Sequence, residues 1–333
     1  MSLNLDKPTY PFRPISSVRA LAATLGMCEE ALLEIASSAS GMYRTVKPKP
    51  GSKRQTFDAT GRLKPIHVKI KNAILSKVLF PSYLTGSIKG RSYKTNASLH
   101  SNKSVIICED VKGFFGSVSA ELVYDTWRQF FNFDPKVAEL LTKLTTKDGV
   151  LPQGGIPSSF LANLVLWRDE PLLQAKFQNR GVTYSRYVDD IAMSSVERLS
   201  RSDKTELIRA VYGMLRKNEL SAHRDKHEIF PATGRMITTK LIVNRKPSLP
   251  YKRRSNVRVA VYQAEQAALN NGSTEETLAI LNKAANRVGQ LGCFHPNLAA
   301  PLRARLRNIR HGLPPELPTS TASGPGLAKQ HSS

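Results

Sequence analysis

The sequence predicts an α+β fold, an antiparallel sheet with helices on one face. Three observations carry this. SVIICE over 104–109 is a short apolar run ending at Asp110 and reads as a buried strand. Helical segments at 119–131 and 135–146 follow it. VTYSRYVDDIAMSSV over 182–196 then gives two β-rich runs around an Asp-Asp pair, a hairpin with its acids at the turn. This β-α-α-β-β order is the ferredoxin-like pattern.

The other elements follow from the same periodicities. Over 15–40, Val18, Leu21, Ala22 and Leu25 recur at helical spacing. Gly26 breaks the pattern, and Ala31, Leu32, Ile35 and Ala36 resume it. Such a pair is either a helix–turn–helix reader or, more simply, a helical hairpin. Residues 44–72 are strongly basic, and Thr56-Phe57 give them strand character, so a basic hairpin and then a helix over about 64–80 are expected. LPQGGIPSSF is a loop, and Leu161, Leu164, Val165, Pro171 and Leu172 read as one buried helix after it. Residues 203–218 form an amphipathic helix capped by Ser202 or Asp203. Strands at 235–244 lead into a basic, proline-containing link over 245–257. Ser273-x-x-Glu276 is a capping box opening a helix to 291 with Leu278, Leu281, Ala285 and Val288 inward. A last helix, about 298–311, puts Arg303, Arg307 and Arg310 on one face, and the Pro-, Ser- and Gly-rich tail from 313 reads as disordered.

Composition narrows the function. The 333 residues include 49 Lys+Arg against 26 Asp+Glu, a formal charge of +23. Self-repulsion of that size is unfavourable, and its usual reason is a polyanionic partner. A hydrophobic content of 41% supports a real core and excludes a disordered basic tail. No apolar run approaches the ~18–20 residues that span a bilayer. MSLNLDKPTYPFRPISS has no uninterrupted apolar stretch of the kind a signal peptide carries. Cys28, Cys108 and Cys293 are too few and too scattered for a disulfide framework or zinc module, which fits a cytoplasmic protein with no membrane partner.

In so basic a chain, acids at strand ends stand out. Asp110, Asp189 and Asp190, gathered by adjacent strands, would repel one another unless a divalent cation neutralised them. Two such ions ~3.5–4 Å apart clamp the attacking and leaving oxygens of a phosphoryl transfer. An isolated Asp-Asp pair is more readily a solvated turn. The ordered series is far more specific: a strand ending in Asp110, then Phe114-Phe115, then LPQGGIPSS, then YVDD.

That series resembles reverse transcriptases, specifically the bacterial retron type, from about residue 20 to 310. The resemblance implies a right-hand polymerase: an N-terminal helical segment (1–43), fingers (44–103), palm (104–247, with a fingers insertion around 120–165), a helical thumb (248–312) and a tail (313–333). EDVKGFFGSVS resembles the first catalytic motif, with Asp110 and the adjacent Val111 as metal ligands. Phe115 falls at the steric gate that rejects a ribose 2′-OH, or packs in the core beside Phe114. LPQGGIPSSFLANL resembles the loop that holds the templating base and nucleotide, through Gln153 and Gly154. In YVDD, Asp189 is the second metal ligand and Asp190 a weaker or structural one. Lys226, in ELSAHRDKHEIF, matches a lysine near the leaving pyrophosphate, either general acid or charge neutraliser, or else a surface lysine, with His227 as competing candidate. Arg54, with Lys53 beside it, matches the arginine that meets the triphosphate, and Gly289 a thumb glycine. TNASLH matches the retron NAxxH element, which assigns Asn96 and His100 to RNA binding. Where retron enzymes carry Val-Thr-Gly this chain has Thr238-Thr239-Lys240, and lysine lacks the backbone freedom of glycine.

The expected activity is RNA-directed DNA synthesis with two Mg²⁺ ions, Mn²⁺ as an alternative, and dNTPs. The expected partners are a structured non-coding RNA as template and primer, the RNA–DNA product, and an effector protein or further copies of the chain, in anti-phage defence. Arg303, Arg307 and Arg310, and Lys252, Arg253, Arg254 and Arg258, are the candidate RNA contacts, or else solvated charge. No endonuclease motif or RNase H carboxylate cluster is visible, as in a stand-alone polymerase. Two alternatives stay open: a non-retron defence reverse transcriptase making repetitive or untemplated DNA, and a catalytically silent RNA-binding scaffold.

Overall fold

A computed structural model describes residues 5–48, 51, 54–271 and 274–312. The chain divides into two compact units, one ending at Pro247 and one beginning at Ser248.

The first unit opens with α1 (Val18–Thr24) and α2 (Glu29–Ser38). The Ser17 hydroxyl accepts a hydrogen bond from the Ala20 N–H at 3.1 Å and caps α1. Leu21, Leu25, Leu32 and Ile35 are buried in the unit's main core, so the pair is a docked helical hairpin. β1 (Tyr43–Val46) pairs antiparallel with β2 (Thr56–Ala59), the basic hairpin expected. α3 (Leu63–Ala73) and α4 (Tyr93–Leu99) lead to β3 (Val105–Asp110). Next come α5 (Phe114–Ser117), α6 (Ala120–Asp125) and α7 (Pro135–Thr145). A π-helical turn, Thr126–Phe130, extends α6 and stacks Trp127 on Phe131 at 4.9 Å between ring centroids.

The single helix expected over 161–172 is two, α8 (Ser158–Leu164) and α9 (Glu170–Gln178). Pro171 opens α9 where its missing N–H costs nothing, whereas inside one long helix it would break a bond. β4 (Val182–Tyr187) and β5 (Asp190–Ser195) form the hairpin. α10 (Arg201–Lys217) is capped by Ser200 rather than Ser202 or Asp203. Ser200 Oγ accepts from the Asp203 N–H at 3.0 Å, and Asp203 Oδ2 accepts from the Ser200 N–H at 3.1 Å. β6 (Glu228–Pro231) and a small hairpin of β7 (Ile237–Thr238) and β8 (Leu241–Ile242) end the unit.

The main sheet has the order β4-β5-β3-β6 with every pair antiparallel. With α-helical crossovers between β3 and β4 and between β5 and β6, this is the ferredoxin-like arrangement. β3 is an interior strand, and Val105, Ile106 and Ile107 are buried as the apolar run predicts.

The second unit is three mutually packed helices, α11 (Tyr251–Asn271), α12 (Glu275–Gly292) and α13 (Pro296–Gly312). α11 corrects the link expected over 245–257. Its buried stripe, Val257, Ala260, Val261 and Ala264, has helical spacing but small side chains, and exposed Val259, Tyr262 and Leu269 blur the period. Thr274 caps α12, accepting from the Thr277 N–H at 3.2 Å, and Ala284 rather than Ala285 joins its buried face. Ser273 and the tail from 313 lie outside the described residues. No described helix is long and apolar enough to cross a membrane.

Candidate active site

Strand register brings the acids together. β3 pairs with β5 so that Asp110 stands opposite Asp190, and β4 pairs with β5 so that Tyr187 does too. This leaves Val188-Asp189 as a two-residue turn, with Asp190 already the first residue of β5. Val188 takes a left-handed conformation, φ +60°, which a β-branched residue seldom adopts. The backbone then locks the acids in place. The Val111 N–H donates to the Asp189 carbonyl at 3.0 Å, and the His223 N–H to the Asp110 carbonyl at 2.7 Å.

Asp110, Val111 and Asp189 line one cleft of about 410 Å³, and Arg54, Phe115, Gln153 and Lys226 line it with them. Phe115 is half-buried there, while Phe114 turns into the core. Two contacts seat the glycine loop against the basic hairpin. The Phe57 N–H donates to the Gln153 carbonyl at 2.8 Å. Gly154 has φ +107°, and a Cβ there would stand 2.5 Å from the Phe57 carbonyl oxygen, so only glycine fits. Lys53 lies outside the described residues.

Lys226 Nζ donates to Asp110 Oδ1 at 2.8 Å. Strand alternation sends the neighbouring Glu109 to the opposite face. There its carboxylate meets His227 Nδ1 at 2.6 Å and accepts from the Tyr212 hydroxyl at 3.1 Å. Burial holds the Glu109 carboxyl above its ordinary range although His227 pulls it down. Burial and Glu109 together push Tyr212 up to about 12. His227 is therefore engaged behind the sheet, and Lys226 is the cation on the cleft side.

Asp190 lines a second cavity, with Asp110, Cys108 and the Thr238–Lys240 turn. Burial, with the Asp110 charge adding, raises the Asp189 carboxyl. Burial followed by Asp189 and Asp110 pushes Asp190 up to about 6. The Asp190 surface is still open to water, so repulsion among the acids is the firmer of those causes. Thr239 and Lys240 have φ +45° and +64°. The position does call for left-handed backbone, and the lysine adopts it, contrary to the expectation that lysine cannot take the place of glycine there.

Among the described residues no three His, Cys, Asp or Glu side chains form a ready-made metal cluster. Asp110 and Asp189 nevertheless offer hard anionic oxygens to one open cleft. A Mg²⁺-like ion takes only one or two carboxylates when substrate phosphates and water complete its shell. The residues fit a divalent ion held jointly with substrate.

Two expected RNA contacts are overturned. Asn96 is 1% exposed and His100 0%. The His100 ring nitrogens lie 2.7 Å from the hydroxyls of Ser194 and Ser185, and Asn96 Oδ1 accepts from Thr85 at 2.7 Å and Ser185 at 2.8 Å. Asn96 Oδ1 and both His100 ring nitrogens are thereby spent joining the α4 region to β4 and β5. The other basic candidates lie at surfaces of the second unit. Arg303, Arg307 and Arg310 are exposed on α13, and Arg253 on α11. Arg254 is half-buried, and it and Arg258 lie 5.8 and 5.9 Å from the Tyr251 ring centroid.

Sequence reasoning missed Lys147, which lines the cleft with its Nζ 5.2 Å from the Phe57 ring centroid. A lysine four positions ahead of LPQGG was the available signal. It also missed Arg186 and Glu170, a wholly buried ion pair.

Residues 47–252 match the family described as reverse transcriptase (RNA-dependent DNA polymerase). A Salmonella heidelberg protein named Retron Se72 reverse transcriptase is 32% identical over 312 residues, covering 92% of this chain and 82% of that protein. Retron Ec48 reverse transcriptase of Escherichia coli is 26% identical over 84% of this chain and 72% of its own length. Among solved structures, a Candida albicans telomerase covers 62% of this chain and 40% of its own, at 10% identity and a TM-score of 0.37. Reverse transcriptases use divalent metal ions, and the donors at Asp110 and Asp189 suit one. Asp110 and the YVDD hairpin share one antiparallel sheet, and nearly the whole chain matches retron enzymes: it belongs to the reverse transcriptase family and is an RNA-directed DNA polymerase of retron type.

Proposed function

We propose that this polymerase copies part of a cognate structured non-coding RNA into DNA, with Asp110 and Asp189 holding two Mg²⁺ ions. The observation that supports this best is the one cleft shared by Asp110, Asp189, Arg54, Phe115, Gln153 and Lys226. When bound, the two ions would neutralise charge on the attacking and leaving oxygens as a primer hydroxyl displaces pyrophosphate from a dNTP. In this reading Arg54, Lys53 and Lys226 counter the triphosphate charge, and Lys226 stands where it can protonate the pyrophosphate. Gln153 and Gly154 bring backbone against the nucleotide, and the half-buried Phe115 ring excludes a 2′-OH. Asp190, turned to the second cavity, supports the pair electrostatically. Val111 adds its backbone oxygen.

Residues 44–103 act as fingers, 104–247 as palm and 248–312 as thumb. The exposed arginines Arg253, Arg303, Arg307 and Arg310, with Arg254, hold RNA. By resemblance the product serves anti-phage defence with an effector protein or further copies of this chain. The test is to sequence the nucleic acid that copurifies with the protein. One structured RNA carrying a DNA copy of part of itself is expected. Homopolymeric or repetitive DNA would contradict the reading.

A further inference from the structure

Arg186 lies two residues before the Val188-Asp189 turn, and neither it nor Glu170 is accessible to water. Its guanidinium makes five hydrogen bonds. Nε and Nη2 donate to the two Glu170 oxygens at 2.6 and 2.8 Å. Nη1 donates to the Ala162 and Val188 carbonyls at 3.2 and 3.1 Å, and Nη2 to the Asn163 carbonyl at 3.0 Å. One side chain therefore joins the end of α8, the start of α9 and the catalytic turn. Asn163 closes the circle by donating from Nδ2 to the Gly86 carbonyl at 2.8 Å. A Cβ on Gly86 would stand 2.6 Å from the Val188 N and Cγ2 atoms, so the turn is pressed against Gly86 as well.

Neutralising Glu170 needs only one positive charge. Reaching three carbonyls as well as both carboxylate oxygens needs the planar five-donor fork that arginine alone has. Buried ion pairs are weak stabilisers compared with apolar residues of like volume, so stability does not account for this one. The Val188 conformation also has to be held by its surroundings.

We propose that Arg186 is a positioning residue: it fixes the Val188-Asp189 turn against the end of α8, the helix that begins just after the glycine loop, so that Asp189 and the loop keep one spacing. The proposal rests on the reading of Asp189 as a metal-holding residue. Two variants test it. Arg186→Lys keeps a charge beside Glu170 and loses the fork. Arg186→Met with Glu170→Met removes both charges and leaves no unpaired buried ion. Each should bind RNA within about twofold of wild type. Each should lose about a hundredfold in kcat, the scale of a 1 Å misplacement, with the KM for dNTP changed less than about threefold. Amide exchange at Val188 and Asp189 should accelerate about tenfold while the α7 amides stay unchanged. A folded double variant extending within about threefold of wild type, with unchanged exchange, would overturn the proposal. If the double variant unfolds, Arg186→Lys is judged by the same readouts. Failure of the wild type to extend any primer would instead sink the polymerase reading, because the exchange measurement does not depend on activity.

Discussion

His100 is fully buried, and its neighbours set its tautomer. Ser185 donates its hydroxyl proton to Asn96 Oδ1, so His100 Nε2–H must donate to Ser185, and Nδ1 accepts from Ser194. Burial, with Lys103 adding, pushes its pKa down to about 3, and burial lowers that of His67 too. Above an unfolded pKa of about 6.5 both states are neutral, and stability is independent of these groups. Below it the unfolded chain takes up protons that the folded chain refuses, so stability falls with pH. Denaturant unfolding at pH 5.5 against pH 7.5 should show a loss of about 1.4 kcal/mol from His100, with His67 adding in the same direction. The reading of Asn96 and His100 as RNA contacts failed for a physical reason: sequence shows that a residue is polar, not where its partners are. The partners of His100 lie 85 and 94 positions away.

At the scale of elements, local chemistry was the most legible part. The strand ending in Asp110, the hairpin around YVDD and the basic β1–β2 hairpin all stand where their patterns put them, since strand periodicity and turn acids act over a few residues. Features that depend on packing were not legible. The Pro171 break, the Ser200 cap and the whole N-terminal half of α11 were misread, the last because small buried residues carry little periodic signal. The glycine loop gives an element-scale test. Gly154→Ala puts a methyl 2.5 Å from the Phe57 carbonyl in a backbone conformation alanine resists. It should destabilise the protein by about 1–3 kcal/mol. It should also raise the KM for dNTP by loosening the loop from the β1–β2 hairpin. A chemical melt and a dNTP titration check it, and unchanged values for both would mean that the contact is not maintained in solution.

For the whole molecule, the charge excess of +23 could not separate nucleic-acid binding from catalysis. The fold shows where the charge lies. The cleft gathers Arg54, Lys147 and Lys226 around two carboxylates, while α11 and α13 carry the exposed arginines of the second unit. If those arginines meet phosphates, log K for RNA should fall linearly with log salt concentration, by about 0.7–0.9 per neutralised phosphate. The triple variant Arg303→Ala, Arg307→Ala, Arg310→Ala should then flatten that slope by about 2–3. An unchanged slope would return those residues to solvated charge. Which acids share a cleft was partly hidden in the sequence. Motif order named Asp110 and Asp189, but only the folded structure shows that Asp190, paired with Asp110 across the strands, lines the second cavity and not the cleft.

The most direct measurement is primer extension on an RNA template with Asp110→Ala and Asp189→Asn, beside RNA-binding isotherms for the same preparations. The wild type should incorporate dNTPs, neither variant should do so detectably, and the RNA affinities should lie within about twofold of one another. Appreciable incorporation by either variant would contradict it.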